Sequence, residues 1–198
     1  MRVLTDINQL FKTFGIVSRE EFKTFAQPLL ARNPYIQGFA YHRYLSHQDR
    51  AAYEAEMRKH IPDFTITEMV DGKRVTAPER PRYRVVDYIV PIAGNEAALG
   101  FDADSYPFQT AAMRRAVDTG QPSATGLLHL IQERAAQRGF IVLMPVYKED
   151  AVLTDIASRR EAVIGDTAAV FRSADLISRA LDTCLLYTSD AADEEDSV

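Results

Sequence analysis

The sequence predicts an α+β domain in which helices precede an antiparallel sheet. Three observations predict it. The first 34 residues carry apolar side chains at helical spacing, whereas later segments show the alternating or continuous apolar patterns of strands. Charged, helical segments interrupt those strands. A turn signal at Asp71-Gly72 indicates a hairpin, which favours antiparallel pairing.

The N-terminal segment predicts two helices. One apolar stripe recurs at i, i+3, i+4 and i+7 and consists of Ile7, Leu10, Phe11 and Phe14. Ser18 and Glu21 form a capping-box pattern that starts the second helix. It should end before Pro34, because the residue that precedes a proline resists helical geometry. We expect one long broken helix or a helical hairpin, which would form a stalk.

The remaining elements alternate between strands and helices. Strands are expected at about 35–44, 64–70, 86–92, 123–133 and 139–147. Helices are expected at 46–59 and 105–118, with Gly120 as the C-cap of the second helix. A basic loop at 73–82 and a linker at 148–158 separate elements, and a further strand is expected at about 160–171. A helix beginning at Ser173 is interrupted by a change of composition.

Composition and charge exclude several classes of protein. The chain has 198 residues, of which 46% are hydrophobic and 26% charged, so it is globular rather than disordered. Its net charge of −5 belongs to residues 184–198, and the rest is neutral, without the basic footprint of a nucleic-acid-binding protein. The single cysteine is Cys184, so the body offers no thiol chemistry or disulfide. No apolar run reaches the ~20 residues of a membrane span.

The last segment, 184–198, differs from the rest. Its first residues resemble the read-through translation of a sequencing-library adapter, and the alternative is a natural, acidic, disordered C-terminus. Because the preceding helix is interrupted, we expect the natural protein to continue beyond Thr183. We therefore expect no functional residue in this segment.

Neither catalytic nor metal-binding residues are predicted. The four histidines show no HExxH spacing, and no glycine-rich phosphate loop or nucleophile elbow occurs. No cofactor is expected. A cluster of His42, His47 and His129 with carboxylates would favour the alternative of a small soluble enzyme.

Asp102 is the main candidate for ligand binding. It follows an apolar Leu99-Gly100-Phe101 run and precedes a helix, together with Asp104. One interpretation is that such an acid caps the helix, for which Asp104 or Ser105 is better placed. The other is that Asp102 accepts N–H donors from a ligand in charge-assisted hydrogen bonds. Both stay open at this point.

An ordered series of short motifs resembles the CHASE domain family. It comprises NEAALGFD at 95–102, Ser105, AVDTGQP at 116–122, Thr125, LIQE at 130–133, Gly139-Phe140 and PVY at 145–147. The resemblance covers residues 36–147 well and 4–35 loosely. The sequence departs from it at 39–41, where bacterial members often carry Trp, and at 106–108, where Arg is common; these departures leave the identity of the ligand open.

The resemblance implies a domain organisation. CHASE domains are extracytoplasmic, ligand-sensing domains between two transmembrane helices, and they have a stalk helix, a distal PAS-like domain and a proximal PAS-like domain. Transferred to this chain, 1–34 are stalk helices, 35–150 the distal ligand-binding domain, 151–183 a linker and the truncated start of the proximal domain, and 184–198 an artefactual tail.

The resemblance also implies site residues. In plant members an aspartate of the distal domain takes N–H groups of cytokinin, and this position corresponds to Asp102. A backbone contact falls at Ala124, with Thr125 beside it. Pocket walls are expected among apolar strand residues, which are more often core than contact: Tyr88, Val90, Phe101, Leu127, Leu143 and Pro145.

The expected function is therefore sensory. The chain would be the periplasmic input domain of an inner-membrane receptor, binding a small ligand of unknown identity and signalling to a histidine kinase or a cyclic-di-GMP enzyme. The missing flanking helices would anchor it in the membrane, and a homodimer would form through the stalk. Four aromatic residues could pack there or could equally face only their own domain: Phe11, Phe14, Phe22 and Phe25. The alternatives are a soluble small-molecule enzyme and a ligand-free dimerisation module.

Overall fold

The computed structural model describes residues 2–15, 17–129, 138–173 and 176. Its helices are α1 (Arg2–Phe14), α2 (Arg19–Arg32), α3 (His47–Arg58), α4 (Pro107–Thr119) and α5 (Ile156–Ala162). Its strands are β1 (Ile36–Ser46), β2 (Thr67–Val70), β3 (Lys73–Thr76), β4 (Arg82–Val90), β5 (Ser123–Ala124), β6 (Leu128–His129), β7 (Arg138–Tyr147) and β8 (Val163–Arg172). The predicted α+β class is confirmed.

One antiparallel sheet organises the domain. The strand order is β4-β1-β8-β7-β5, and β6 also pairs with β7. β2 and β3 form a separate hairpin through the predicted turn, in which Asp71 and Gly72 both have positive φ. The hairpin extends into the region expected to be a basic loop.

α1 and α2 cover one face of this sheet rather than projecting from it. Ile7, Leu10 and Phe11 of the predicted stripe are buried, whereas Phe14 at its end is exposed. The ring of Phe11 stacks on that of Tyr41 with centroids 4.4 Å apart. Beside the stripe, Asn8 is also buried, and its Nδ2 donates to the carbonyl of Pro145 at 3.0 Å. The assignment of these helices to a stalk stays a prediction. Their apolar faces are covered by the strands of the same domain.

α4 covers the opposite face of the sheet. It starts at Pro107, whose fixed φ suits a first helical position, and ends at Gly120 in the left-handed conformation, which confirms the predicted C-cap. Met113 and Val117 are buried in the same core cluster as Leu143 of β7. A hydrophobic core therefore lies between α4 and the three central strands, β1, β8 and β7.

β8 is the central strand of the sheet. Its Ala168 lies opposite Ala40 of β1 and Leu143 of β7. This placement corrects the expected domain boundary near residues 150–160, because the strand expected to open a second domain completes the first sheet. Residues 148–158 were expected to link two domains. They lie instead in the connection between β7 and β8, which pair with each other.

Two further elements differ from the prediction. α5 occupies residues expected to be linker and strand, and it begins with a capping box between Asp155 and Ser158. The strand expected at 123–133 is represented by the short β5 and β6, and residues 130–137 lie outside the described part. The helix expected from Ser173 and the segment 184–198 also lie outside it, apart from residues 173 and 176.

Candidate functional site

A cavity of about 360 Å³ lies between α4 and the end of the sheet near α5. Its walls come from β1, β4, the turn before α4, α4 itself, α5 and β8. They are formed by Tyr44, Arg82, Asp104, Thr110, Met113, Arg114, Val117, Asp118, Arg160 and Val163. The α4 members recur at helical spacing, so one face of that helix forms a wall. We call this space the α4 cavity.

The charged residues of the α4 cavity are unequally paired. Arg160 donates two hydrogen bonds to Asp118, at 2.7 and 2.8 Å, and its guanidinium lowers the pKa of that carboxyl. Arg82 instead stacks on the ring of Tyr44, 4.0 Å from its centroid. Within the described ranges, neither Arg82 nor Arg114 has a carboxylate within 4 Å.

A buried charge network lies behind the cavity. Arg84 and Asp166 are both fully buried, and Nη1 of Arg84 donates to Oδ1 of Asp166 at 2.9 Å. Nδ1 of the buried His42 lies 2.9 Å from Oδ2 of the same carboxylate. Nε of Arg84 donates to Asp104, a cavity residue, at 2.7 Å. The network therefore connects the cavity wall to the central strand β8.

Burial and charge shift the pKa values of this network in different directions. Burial lowers the pKa of Arg84, but the carboxylates of Asp166 and Asp104 outweigh it, and the net shift is upward. Burial raises the pKa of Asp166, but the neighbouring His42 and Arg84 outweigh it, and the net shift is downward. The pKa of Tyr44, at the cavity wall, is raised to about 12, mainly by burial.

Asp102 lies beside this network, fully buried. Its Oδ1 accepts from the backbone N–H of Arg84 at 3.0 Å and from that of Asp104 at 3.2 Å, and its Oδ2 accepts from Nη1 of Arg80 at 2.6 Å. Burial is the main reason that its pKa is raised. Only the bond from Asp104 is a cap, and it closes the short 3-10 turn Ala103–Ser105, whereas α4 begins after Tyr106 without a side-chain cap. Asp102 therefore holds the turn that carries Asp104 at the cavity wall.

The other predicted site residues do not converge on one space. Tyr88 and Val90 line a different cavity of about 400 Å³ between α2 and β4, whereas Phe101 and Leu143 are core residues of the α4 side. Ala124 and Leu127 are exposed near the short strands β5 and β6. Thr125 Oγ1 accepts from the N–H of Ile141, and Pro145 is buried opposite Asp166.

The arginines of the α4 cavity and the charge network behind it are not among the residues predicted from the sequence. Two signals were present. Arg82 and Arg84 alternate with Tyr83 at the start of a strand, which places both on one face. Asp166 is a single acid within a strand of small and apolar residues, and a buried acid requires a partner.

The histidines do not form a metal site in the described part. His42 contacts the network above, and Nδ1 of His47 lies 3.3 Å from the hydroxyl of Tyr83. The side chain of His129 lies outside the described part. Among the residues that the structure describes, no three His, Cys, Asp or Glu side chains are grouped so as to hold a metal ion.

The sheet, its covering helices and the α4 cavity define an α+β domain with a recess of small-molecule size. Residues 15–197 match the family model described as the CHASE domain, and the chain therefore belongs to the CHASE domain family. Members are extracytoplasmic sensory domains of membrane receptors rather than catalytic domains, so this chain has a sensory input role. Comparison with curated proteins found no match. No helix in the described ranges is long and apolar enough to cross a membrane.

Replacing Asp102 by alanine tests its supporting role. We expect Asp102→Ala to lower the free energy of unfolding by about 1–3 kcal/mol, because the buried N–H of Arg84 and the partly buried donors of Asp104 and Arg80 lose their acceptor. Asp102→Asn keeps one oxygen and should lose less. The measurement is urea denaturation followed by circular dichroism. A stability equal to that of the wild type would show that these hydrogen bonds do not hold the turn.

Proposed function

We propose that this domain senses a small molecule bound in the α4 cavity and passes the change through β8. The observation that carries the proposal is the continuity between the cavity and the centre of the sheet. Asp104 lines the cavity and holds Arg84, and Arg84 holds Asp166 of β8. A ligand that prefers one arrangement of these groups would shift the population of the domain toward it.

The composition of the cavity supports this choice of site. Ligand cavities combine apolar walls with a few convergent polar groups. Met113, Val117 and Val163 supply apolar walls here, and arginines surround them. The cavity between α2 and β4 contains Tyr88 and Val90, but it does not contact the buried network.

The receptor context is part of the same proposal. We place the domain in the periplasm as the input of an inner-membrane receptor, with a histidine kinase or a cyclic-di-GMP enzyme as output, and we regard the sheet as PAS-like. A homodimer through α1 and α2 remains a prediction. Phe11 and Phe22 are buried within their own domain, whereas Phe14 and Phe25 are exposed and available to such a contact.

A blocked cavity tests the site. We expect a screen of small charged and neutral compounds to yield at least one that raises the melting temperature of the chain, and Thr110→Phe to abolish that shift. Thr110 is an exposed residue on the cavity wall, so a larger side chain there fills the cavity without entering the core. Differential scanning fluorimetry is the measurement.

Thr13→Phe is the matched control. Thr13 is an exposed threonine on α1, on the other face of the sheet, so its replacement should leave the ligand-induced shift unchanged. Shifts that persist in Thr110→Phe would place the binding site elsewhere and contradict the proposal.

A further inference from the structure

We propose that the ligand of the α4 cavity carries a carboxylate, which Arg82 and Arg114 bind, and an apolar body that contacts Met113, Val117 and Val163. This inference rests on the proposed function and specifies its ligand class. It adds a site that does not include Asp102, because both oxygens of Asp102 already accept hydrogen bonds from protein donors.

The charge balance of the cavity favours an anion. Three arginines and two aspartates line it. Asp118 binds Arg160, and Asp104 binds Arg84 behind the wall. Arg82 and Arg114 therefore have no carboxylate within 4 Å in the part of the chain that the structure describes, although the charge of Arg114 contributes to the lowered pKa of Asp118. Guanidinium groups match the geometry of a carboxylate and bind it with paired hydrogen bonds.

Arg84 adds an unused donor next to the cavity. It is fully buried, and its Nη2 has no hydrogen-bond partner. The N–H groups of Nε and Nη2 leave the same edge of the planar guanidinium. Since Nε points to Asp104 of the cavity wall, Nη2 also faces that side. A ligand oxygen that approaches along Asp104 would give this donor an acceptor, which a buried polar group normally has.

The walls favour a carboxylic acid over a phosphate. Counted together with Arg84 and Asp166 behind them, the lining side chains carry a net charge of only one positive unit, which balances one carboxylate but not a doubly charged phosphate. Apolar walls and the ring of Tyr44 would contact a hydrocarbon body, whose burial contributes to affinity. We therefore infer a small monocarboxylate with an aliphatic or aromatic body.

Isothermal titration calorimetry with acid–amide pairs tests the inference. The probes are phenylacetate, benzoate and hexanoate, each compared with its primary amide, and inorganic phosphate. We expect at least one acid to bind about tenfold or more tightly than its amide, because a hydrogen bond to a charged group contributes more than a neutral one. Raising the salt concentration should weaken binding of the acid more than binding of the amide.

Two variants place the carboxylate. Arg82→Gln and Arg114→Gln should each lower the affinity for the acid by about tenfold, while the affinity for the amide stays the same. Arg32→Gln, at an exposed arginine of α2 on the other face, is the control and should change neither affinity.

The outcomes separate this inference from the proposed function. If no acid binds more tightly than its amide, the carboxylate assignment is overturned. If neutral compounds bind and Thr110→Phe abolishes their binding, the α4 cavity is still supported as the ligand site. If inorganic phosphate binds more tightly than every acid and depends on the same arginines, the ligand class is a phosphate and the carboxylate assignment is overturned. If the acids bind equally well to Thr110→Phe, both the inference and the proposed site fail.

Discussion

Asp166→Ala is expected to lower the free energy of unfolding by about 3–5 kcal/mol, because it removes the fully buried partner of Arg84 and leaves the partly exposed Asp104 to pair with that buried charge. Asp166 is fully buried at the centre of the sheet and accepts from Nη1 of the equally buried Arg84. His42, from the neighbouring strand, contacts its other oxygen. Chemical denaturation of wild type and variant measures the loss.

A double variant distinguishes the cost of leaving one buried charge unpaired from the cost of losing the Arg84–Asp166 ion pair. Arg84→Met combined with Asp166→Leu removes both charges and keeps similar volumes, so it should be less destabilised than the sum of the two single changes. If Asp166→Ala unfolds at the same urea concentration as the wild type, the Arg84–Asp166 contact does not stabilise the fold, and this contradicts the role given to the network. A double variant that shows the full sum would show that the two residues are not coupled.

The same carboxylate should make stability depend on pH. Its pKa in the folded chain is lowered, since His42 and Arg84 outweigh the effect of burial. The unfolded value is about 3.9. The ionised carboxylate therefore adds stability above that pH, and this part is lost as the pH falls through the folded value. Asp166→Asn should show a smaller loss of stability than the wild type below about pH 4.

Gly165→Ala is expected to destabilise the chain by about 2–3 kcal/mol, the upper part of the range for overpacking. Gly165 lies in β8 opposite Arg43 of β1. A Cβ at this position would lie 2.2 Å from the backbone carbonyl oxygen of His42 and 3.1 Å from the ring of Tyr41. Backbone atoms of a central strand pair cannot move without breaking the pairing, so thermal denaturation should show a lower midpoint.

Gly126→Ala is the matched control. A Cβ there would contact only Phe108, at 3.9 Å, and the backbone does not require glycine. Its effect should therefore be small or slightly stabilising. If Gly165→Ala were equally harmless, β8 would not pair closely with β1, and the placement of this strand in the sheet would be contradicted.

The sequence predicted the elements better than their arrangement. Capping patterns and hydrophobic spacing located α2, α4 and the hairpin turn, because these signals depend on neighbouring residues in the chain. The position of β8 depends on pairing between residues more than 100 positions apart, as for Ala40 and Ala168. No local pattern records that pairing. The strand was therefore assigned to a second domain.

The site was harder to predict for the same reason. Asp102 was the main ligand candidate in the sequence, but its donors include Arg80 and the backbone of Arg84, which only the folded chain brings to it. Tyr88 and Leu143 have similar patterns in sequence but lie on opposite faces of the sheet. The alternation of side chains along a strand assigns two faces without indicating which face a given helix covers.

Hydrogen–deuterium exchange of the chain, with and without a saturating concentration of whichever of phenylacetate, benzoate and hexanoate binds most tightly, is the most direct test of the α4 cavity as the sensory site. The account predicts slower exchange in peptides from α4 (Pro107–Thr119) and β8 (Val163–Arg172), and unchanged exchange in α1 (Arg2–Phe14). Slower exchange confined to α2 and β4, which enclose the cavity of Tyr88 and Val90, would contradict it. Unchanged exchange in α4 while the acid is bound would contradict it as well.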